Sequence, residues 1–345
     1  NIIPIGTKNY FFTSYGQFYA LPTVLTHGII ASETIYYMCI GGFVMKLATT
    51  TSDFMHFGLN GEESVGAVAD AGFKYIDYSF GYDFHGKTGL LGNEWQSCAE
   101  RLLALADERG LKFVQAHSPL GRPLVFDDEH EEFVRLTKQS ITAAAYLGIP
   151  NIVVHSGYAK DMPKAETFKQ NKLFYEDILK VAEKHGITVL TENFNKMFDE
   201  HYYWVDSAED LSELIEYIDH PLLKACWDVG HGNLQELPQH EALKMLGDKV
   251  RALHIQDNMG NDDHHTFPFT GTLNFDSIMH GLQDINYKGY FTFEADNMPA
   301  SASRRRKFEE DTRCLQLPVE FRRKYESILY DIGRFILTKY NCFEE

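Results

Sequence analysis

The chain predicts an α/β fold, a (β/α)8 TIM barrel with a C-terminal helical extension. Two observations carry this expectation. From Met45 onward, strand-like and helix-like segments alternate without a break, the pattern of repeated βα units. In addition, six short apolar runs end in a side chain able to bind a metal or move a proton: FVQAH at His117, IVVH at His155, ITVLTE at Glu192, LKACWD at Asp228, VRALH at His254 and YFTFE at Glu294. A buried parallel strand reads as a nearly continuous apolar run, so an ionisable residue at its carboxyl end needs a reason to be there. The barrel supplies the reason, because it gathers the carboxyl ends of all its strands around one mouth, where active sites are built.

The strands are expected at Lys46–Thr50, Tyr75–Tyr78, Phe113–His117, Asn151–His155, Thr188–Glu192, Leu223–Asp228, Val250–Ile255 and Tyr290–Glu294. Helical periodicity falls between them at Glu62–Ala71, Glu94–Arg109, Glu129–Leu147, Glu166–His185, Ala208–Tyr217, His240–Leu246 and Phe275–Asp284. Several of these stop near a glycine (Gly72, Gly110, Gly148, Gly186), the residue suited to a left-handed helix cap. Beyond the eighth strand, Ser303–Glu310 and Pro318–Tyr340 read as further helices. The basic run Arg304–Lys307 is followed by Glu309, Glu310 and Asp311, which reads as a solvated, salt-bridged helix face rather than a nucleic-acid or targeting signal.

Residues 1–44 differ from the rest. Only Lys8 and Glu33 are charged there, and the aromatic residues follow no period. We read 1–44 as a non-native upstream or disordered extension and 45–345 as one barrel domain, with Met45 as the start. A signal peptide or membrane anchor is the alternative, but polar residues interrupt the apolar run and no basic segment precedes it. The 345 residues exceed the roughly 250 that one barrel needs. A net charge of −17 disfavours nucleic acid and anionic membranes and points to a small neutral substrate. The five cysteines are odd in number and lack CxxC pairs, so a reducing cytoplasm is expected.

Glu192, Asp228, His254 and Glu294 end strands five to eight, adjacent positions around the mouth, so they can converge on one cation. Any one alone would read as a strand-end cap or an ion pair. Three carboxylates and an imidazole form a mostly hard donor set suited to Mn²⁺, Co²⁺ or Mg²⁺. His231, three residues after Asp228, is placed to reach that site's surroundings or a substrate hydroxyl.

These residues in their contexts (TENF, WDVGH, HIQDN, DHHTFPFTG and FEAD) resemble the xylose isomerase-like superfamily of sugar phosphate isomerases and epimerases. Ketose 3-epimerases, inosose dehydratase and endonuclease IV belong to it, and the likeness runs from about Met45 to Tyr340. The resemblance implies that Glu192, Asp228, His254 and Glu294 hold one divalent ion, and that Glu192 and Glu294 act on opposite faces of a sugar or polyol. It also implies substrate contacts from His117, His155, His231, Asp263 and His265, and a dimer or tetramer. The expected chemistry is α-proton transfer through a metal-stabilised enediolate. Elimination in a dehydratase or 3-oxo-glycoside lyase is the first alternative. A Zn²⁺-dependent phosphodiesterase like endonuclease IV is the second, since all nine of its ligands have counterparts here; the acidic chain and the scarcity of cations near the mouth (Lys87, Arg122, Lys160) oppose it.

Phe269-Thr270-Gly271 departs from the Gly-Glu-Gly turn common in the superfamily, which puts the loop over the pocket in doubt. The string Gly81–Thr88 spells a P-loop but lacks a helix starting at its lysine. Tyr82, Phe84 and His85 there are candidates for a lid or for rim packing. Asp77 has no assigned role, and Trp227 is expected to pack between strand and helix because its side chain points opposite to that of Asp228. A non-catalytic barrel is the remaining reading, opposed by the cost of converging unpaired acids and imidazoles without a cation. Intact-mass spectrometry of natively expressed protein is expected to find a chain starting at Met45; a mass that includes earlier residues would overturn this reading.

Overall fold

The computed structural model describes residues 43–86, 89–195, 201–299 and 317–345. The expected helix Ser303–Glu310 and the pair Lys87 and Thr88 lie outside the described residues, as does nearly all of the N-terminal stretch. Eight strands are present: β1 Leu47–Thr50, β2 Tyr75–Ser79, β3 Lys112–His117, β4 Asn151–Val153, β5 Thr188–Glu192, β6 Leu223–Asp228, β7 Val250–His254 and β8 Phe291–Phe293. They form one parallel sheet in the order β7-β6-β5-β4-β3-β2-β1-β8. The ring is closed by the last pair, where the Ile255 N–H donates to the Thr292 carbonyl at 2.8 Å and the Glu294 N–H donates to the Ile255 carbonyl at 3.0 Å. The (β/α)8 barrel is therefore present, and every strand lies where the alternating pattern put it, within two residues at each end.

The surrounding helices are α1 Gly61–Asp70, α2 Trp95–Arg109, α3 His130–Tyr146, α4 Lys164–His185, α5 Ala208–Ile218, α6 Gln239–Leu246, α7 Phe275–Asp284 and the C-terminal α8 Val319–Lys339. Their starts follow local chemistry. Asn60 and Glu63 form a reciprocal capping box at α1, and the Ser207 and Asn274 side chains accept from the third-position amides of α5 and α7. Gly110 and Gly186 take the left-handed cap after α2 and α4. Gly81–Gly86 is a short helix, so the first six residues of the P-loop string are helical where a phosphate cradle would be open loop. Among the described residues no helix is long and apolar enough to cross a membrane.

The strand pleat sorts side chains into two environments. Ile152, Val189, Ala225 and Leu253 face the helices as part of the main core, while Val153, Leu190, Cys226 and Ala252 form a separate buried cluster inside the barrel. Adding two residues to each member of that inner cluster gives His155, Glu192, Asp228 and His254. Because side chains two apart point to the same face, these four stand directly above the apolar floor.

Helix α8 is more than an appendage. Gly333 lies so close to β1 and β8 that a Cβ there would come within 2.7 Å of the Leu47 and Phe293 side chains. One end of the helix buries Arg322 and Glu326 completely. Arg322 donates to Asp53, to Glu326 and to the carbonyls of Ala295 (3.1 Å) and Met298 (2.6 Å), and Thr49 donates to Glu326 at 2.7 Å. This cluster joins α8 to the loops that follow β1 and β8. Sequence periodicity missed it, because charged residues on an amphipathic helix ordinarily face water. After α8 the chain returns to the barrel floor, where the Met45 N–H donates to the Cys342 carbonyl at 2.7 Å.

Arg322→Ala is expected to lower unfolding free energy by about 3–5 kcal/mol, because it leaves buried carboxylates without their cation. Denaturant titration with circular dichroism would measure it, and a loss below about 1 kcal/mol would show that the cluster is dispensable.

Candidate active site

The carboxyl ends of β3 to β8 and the loops after them bring His117, His155, Glu192, His231, Asp263, His265 and Glu294 to one mouth lining a cavity of about 860 Å³, with Asp228 and His254 buried beside Glu192. Glu192 is central to the polar layer. Its Oε1 is 2.8 Å from His254 Nδ1, and its Oε2 is 3.1 Å from His155 Nε2 and 3.6 Å from His117 Nε2. Glu294 reaches the same imidazole from the other strand, with Oε2 at 3.2 Å from His254 Nδ1. The remaining nitrogen of His254 lies 2.8 Å from the Gln115 amide nitrogen and 3.3 Å from Asp77 Oδ2, so the ring is held on both sides. That gives Asp77 a role the sequence left open: it supports His254, and the Gln115 amide donates to it at 3.0 Å.

Asp228 divides its two oxygens between tasks. Oδ1 accepts from the His231 N–H at 2.7 Å and caps the short helix Val229–Asn233, while Oδ2 faces the site, 3.9 Å from His231 Nδ1. The cap is thus made by one oxygen, and the other lies within the donor group of Glu192, His254 and Glu294. The Asn193 side chain clamps the same strand end, accepting from the Asp228 N–H at 2.8 Å and donating to its carbonyl at 3.0 Å. His231 Nε2 then meets Asp263 Oδ2 at 3.3 Å, and His265 Nε2 meets the same oxygen at 3.1 Å. His265 holds its position with φ +47° and with Nδ1 2.9 Å from the Glu294 carbonyl. This left-handed conformation is uncommon for a residue other than glycine and marks a constrained loop.

Crowded acids shape the electrostatics. Burial raises the pKa of Glu294 to about 7, with Glu192 adding to the effect against the opposing pull of His254 and His265. Burial also disfavours ionisation of Glu192, but His254, His117 and His155 outweigh it and hold Glu192 well below the usual carboxylate range. His231 is carried up to about 10 despite burial, chiefly by Asp228 and Asp263. Burial depresses His155. These residues fit a divalent cation. The ligand atoms of Glu192, Asp228, His254 and Glu294 all lie within 4.8 Å of one another, three of them carboxylate oxygens in a buried layer. Three smaller donor groups share members with it: His117 with His155 and Glu192, Cys226 with Glu192 and His254, and Asp228 with His231 and His265.

Other expectations resolve differently. Phe84 packs edge-on against Phe133 at 6.2 Å, which is rim packing; the side chains of Tyr82 and His85 lie outside the described set. Phe269 has φ +71°, which explains why glycine suits this turn, but its ring stacks toward Phe275 and Phe335 and lines a separate cavity. The departure from the superfamily turn therefore leaves the pocket over the site intact. Trp227 is buried and donates to Gln239 at 2.9 Å, as its alternation with Asp228 required. Sequence reasoning missed two pocket features: the pair of His56 and Asp296, whose Nε2 and Oδ2 are 2.6 Å apart, and the aromatic residues Tyr158, Phe194 and Trp204. The FEAD segment carried a signal for Asp296, since it lies two residues beyond Glu294 on the same strand direction.

A family model described as xylose isomerase-like TIM barrel matches residues 65–317. A 2-oxo-tetronate isomerase from Haemophilus influenzae is 26% identical over 243 residues, covering 65% of this chain and 83% of the relative. A fructoselysine 3-epimerase from Escherichia coli O157:H7 is 32% identical over a shorter stretch of 94 residues, 27% of this chain and 34% of the relative. Among solved structures, a 3-keto-D-glucoside 4-epimerase from E. coli superposes with a TM-score of 0.62 at 21% identity, covering 83% of this chain and 99% of that one. A D-psicose 3-epimerase from Clostridium cellulolyticum H10 reaches 0.66 at 16% identity, covering 85% and 99%.

Cation binding is expected to weaken as pH falls through about 7, because the proton that Glu294 takes up there competes with the ion. Calorimetric titration of Mn²⁺ at about pH 6 and about pH 8 would measure this, and equal affinities would remove Glu294 from the ligand set.

Proposed function

The chain belongs to the xylose isomerase-like TIM barrel family, and from that premise we propose that it is a divalent-metal-dependent sugar isomerase or epimerase that transfers an α-proton. The observation that carries this is the convergence of two carboxylates, Glu192 and Glu294, on the same nitrogen of His254, with Asp228 close enough to complete a cation-binding set. The isomerase and epimerase names of the relatives support the same reaction class. The bound cation, most simply Mn²⁺ with Co²⁺ or Mg²⁺ as substitutes, supplies Lewis-acid polarisation of the substrate carbonyl.

The protein's own residues do the rest. Glu192 is ionised at neutral pH and buried, so it is suited to accept a proton from the carbon beside the carbonyl. Glu294 holds a proton up to about pH 7 in the cation-free site and is the more accessible of the two, with 17% of its side chain exposed against 1% for Glu192. Return of the proton from the opposite face inverts the centre, and return to the neighbouring carbon exchanges aldose and ketose. Loss of a β-substituent from the same enediolate would instead eliminate. His117, His155, His231, Asp263 and His265 surround the floor of the cavity and serve substrate hydroxyls, with the His231–Asp263–His265 chain fixing the ring orientations.

Phosphodiester hydrolysis finds less support. Arg122 is the only Lys or Arg among the described residues lining the cavity, it is largely exposed, and it already donates to Asp127 at 3.2 Å. A phosphate backbone needs several cationic contacts. The odd number of cysteines and the lack of CxxC pairs in the sequence support a reducing, cytoplasmic setting.

Elemental analysis of protein purified without chelator should find about one Mn, Co or Mg per chain; about three Zn would instead favour the hydrolase. Glu294→Gln is expected to leave the fold intact and to lower α-proton exchange with D₂O by about 10²–10⁴-fold. Undiminished exchange, followed by NMR, would take Glu294 out of the proton-transfer pair.

A further inference from the structure

The cavity is larger than the proton-transfer chemistry requires. Its 860 Å³ lies toward the upper end of the roughly 300–1,000 Å³ spanned by small-molecule clefts, more than a single sugar ring fills. Its two sides also differ in chemistry. On the β8–β1 side the lining is polar, with Ser52, His56 and Asp296. Across the ring, the loops after β3, β4 and β5 contribute Leu120, Tyr158, Phe194 and Trp204.

These apolar residues form a continuous path outward from the reacting centre. The ring of His155 meets Phe194 edge-on at 5.0 Å, Phe194 meets Trp204 at 5.1 Å and Tyr158 at 5.5 Å. Leu120 lines the same cavity with 61% of its surface exposed, which adds apolar area to this side. Buried Trp204 Nε1 has no acceptor among the described residues, which leaves one donor within an otherwise apolar wall. Among the described residues Arg122 is the only Lys or Arg lining the cavity, and it donates to Asp127 at 3.2 Å.

We propose that Leu120, Tyr158, Phe194 and Trp204 form a subsite for a neutral, planar apolar substituent on the substrate, so that the chain acts on a substituted sugar, such as an aryl glycoside bearing a ketone, in preference to a free monosaccharide. This rests on the reading of the cavity floor as a sugar site. The amphipathic cavity then orients the ligand: hydroxyls and carbonyl face the carboxylates and histidines, and the substituent stacks on the aromatic wall.

Isothermal titration calorimetry on the full chain with phenyl β-D-glucopyranoside and methyl β-D-glucopyranoside tests the proposal. Neither ligand carries a ketone, so neither reacts. The phenyl compound should bind about ten-fold tighter, the worth of one good aromatic contact. Tyr158→Leu and Phe194→Leu, each checked for folding by thermal melting, should bring that ratio toward one. Equal affinities in the native chain, no detectable binding of either ligand, or variants that weaken both ligands equally would overturn the subsite. A phenyl preference without α-proton exchange on any ketone-bearing sugar would keep the subsite and defeat the proton-transfer reading. Exchange on free ketoses without any phenyl preference would do the reverse.

Discussion

The two-residue period of a strand, enforced by closure of the barrel, is the constraint on which the rest depends. Closure through Ile255 and Thr292 removes any free edge and obliges every second side chain to point inward. The apolar layer of Val153, Leu190, Cys226 and Ala252 fixes which set that is. Once those four are inside, His155, Glu192, Asp228 and His254 have no alternative direction. A slip of one residue in any strand would bury its ligand-grade side chain among the helices and turn an apolar one into the mouth.

Such a layer is expensive unless its charges are answered. Desolvation opposes ionisation of each carboxylate, and the protein answers with imidazoles: Glu192 against three of them, Asp263 between His231 and His265, and His254 between Glu192 and Glu294. The balance is incomplete at Glu294, where burial and Glu192 leave a proton bound to about pH 7. A divalent cation among the four donors, as proposed above, would restore it.

The C-terminal helix serves the same mouth from outside the barrel. Through Arg322 it holds the carbonyls of Ala295 and Met298, in the segment that follows Glu294, and the Asp53 carboxylate, three residues before His56. The loops after β8 and β1 are therefore tied to a buried ion cluster. Loops that carry function are otherwise the mobile part of this architecture.

The sequence alone determined the barrel, its strand order and the residues of its polar layer. Period and strand-end chemistry are local properties, and parallel βα repeats leave few ways to close. Even His155 and Glu294, which stand just past the last paired residues of β4 and β8, were legible because the strand direction continues through them. What tertiary structure decided were pairings between residues far apart in the chain: Asp77 and Gln115 behind His254, Arg322 with Asp53, His56 with Asp296, and the aromatic wall of Tyr158, Phe194 and Trp204. None repeats with a helical or strand period, so no local pattern announces it. The same holds for Phe269, whose departure from the superfamily turn looked like a change to the pocket until packing against Phe275 and Phe335 turned it elsewhere.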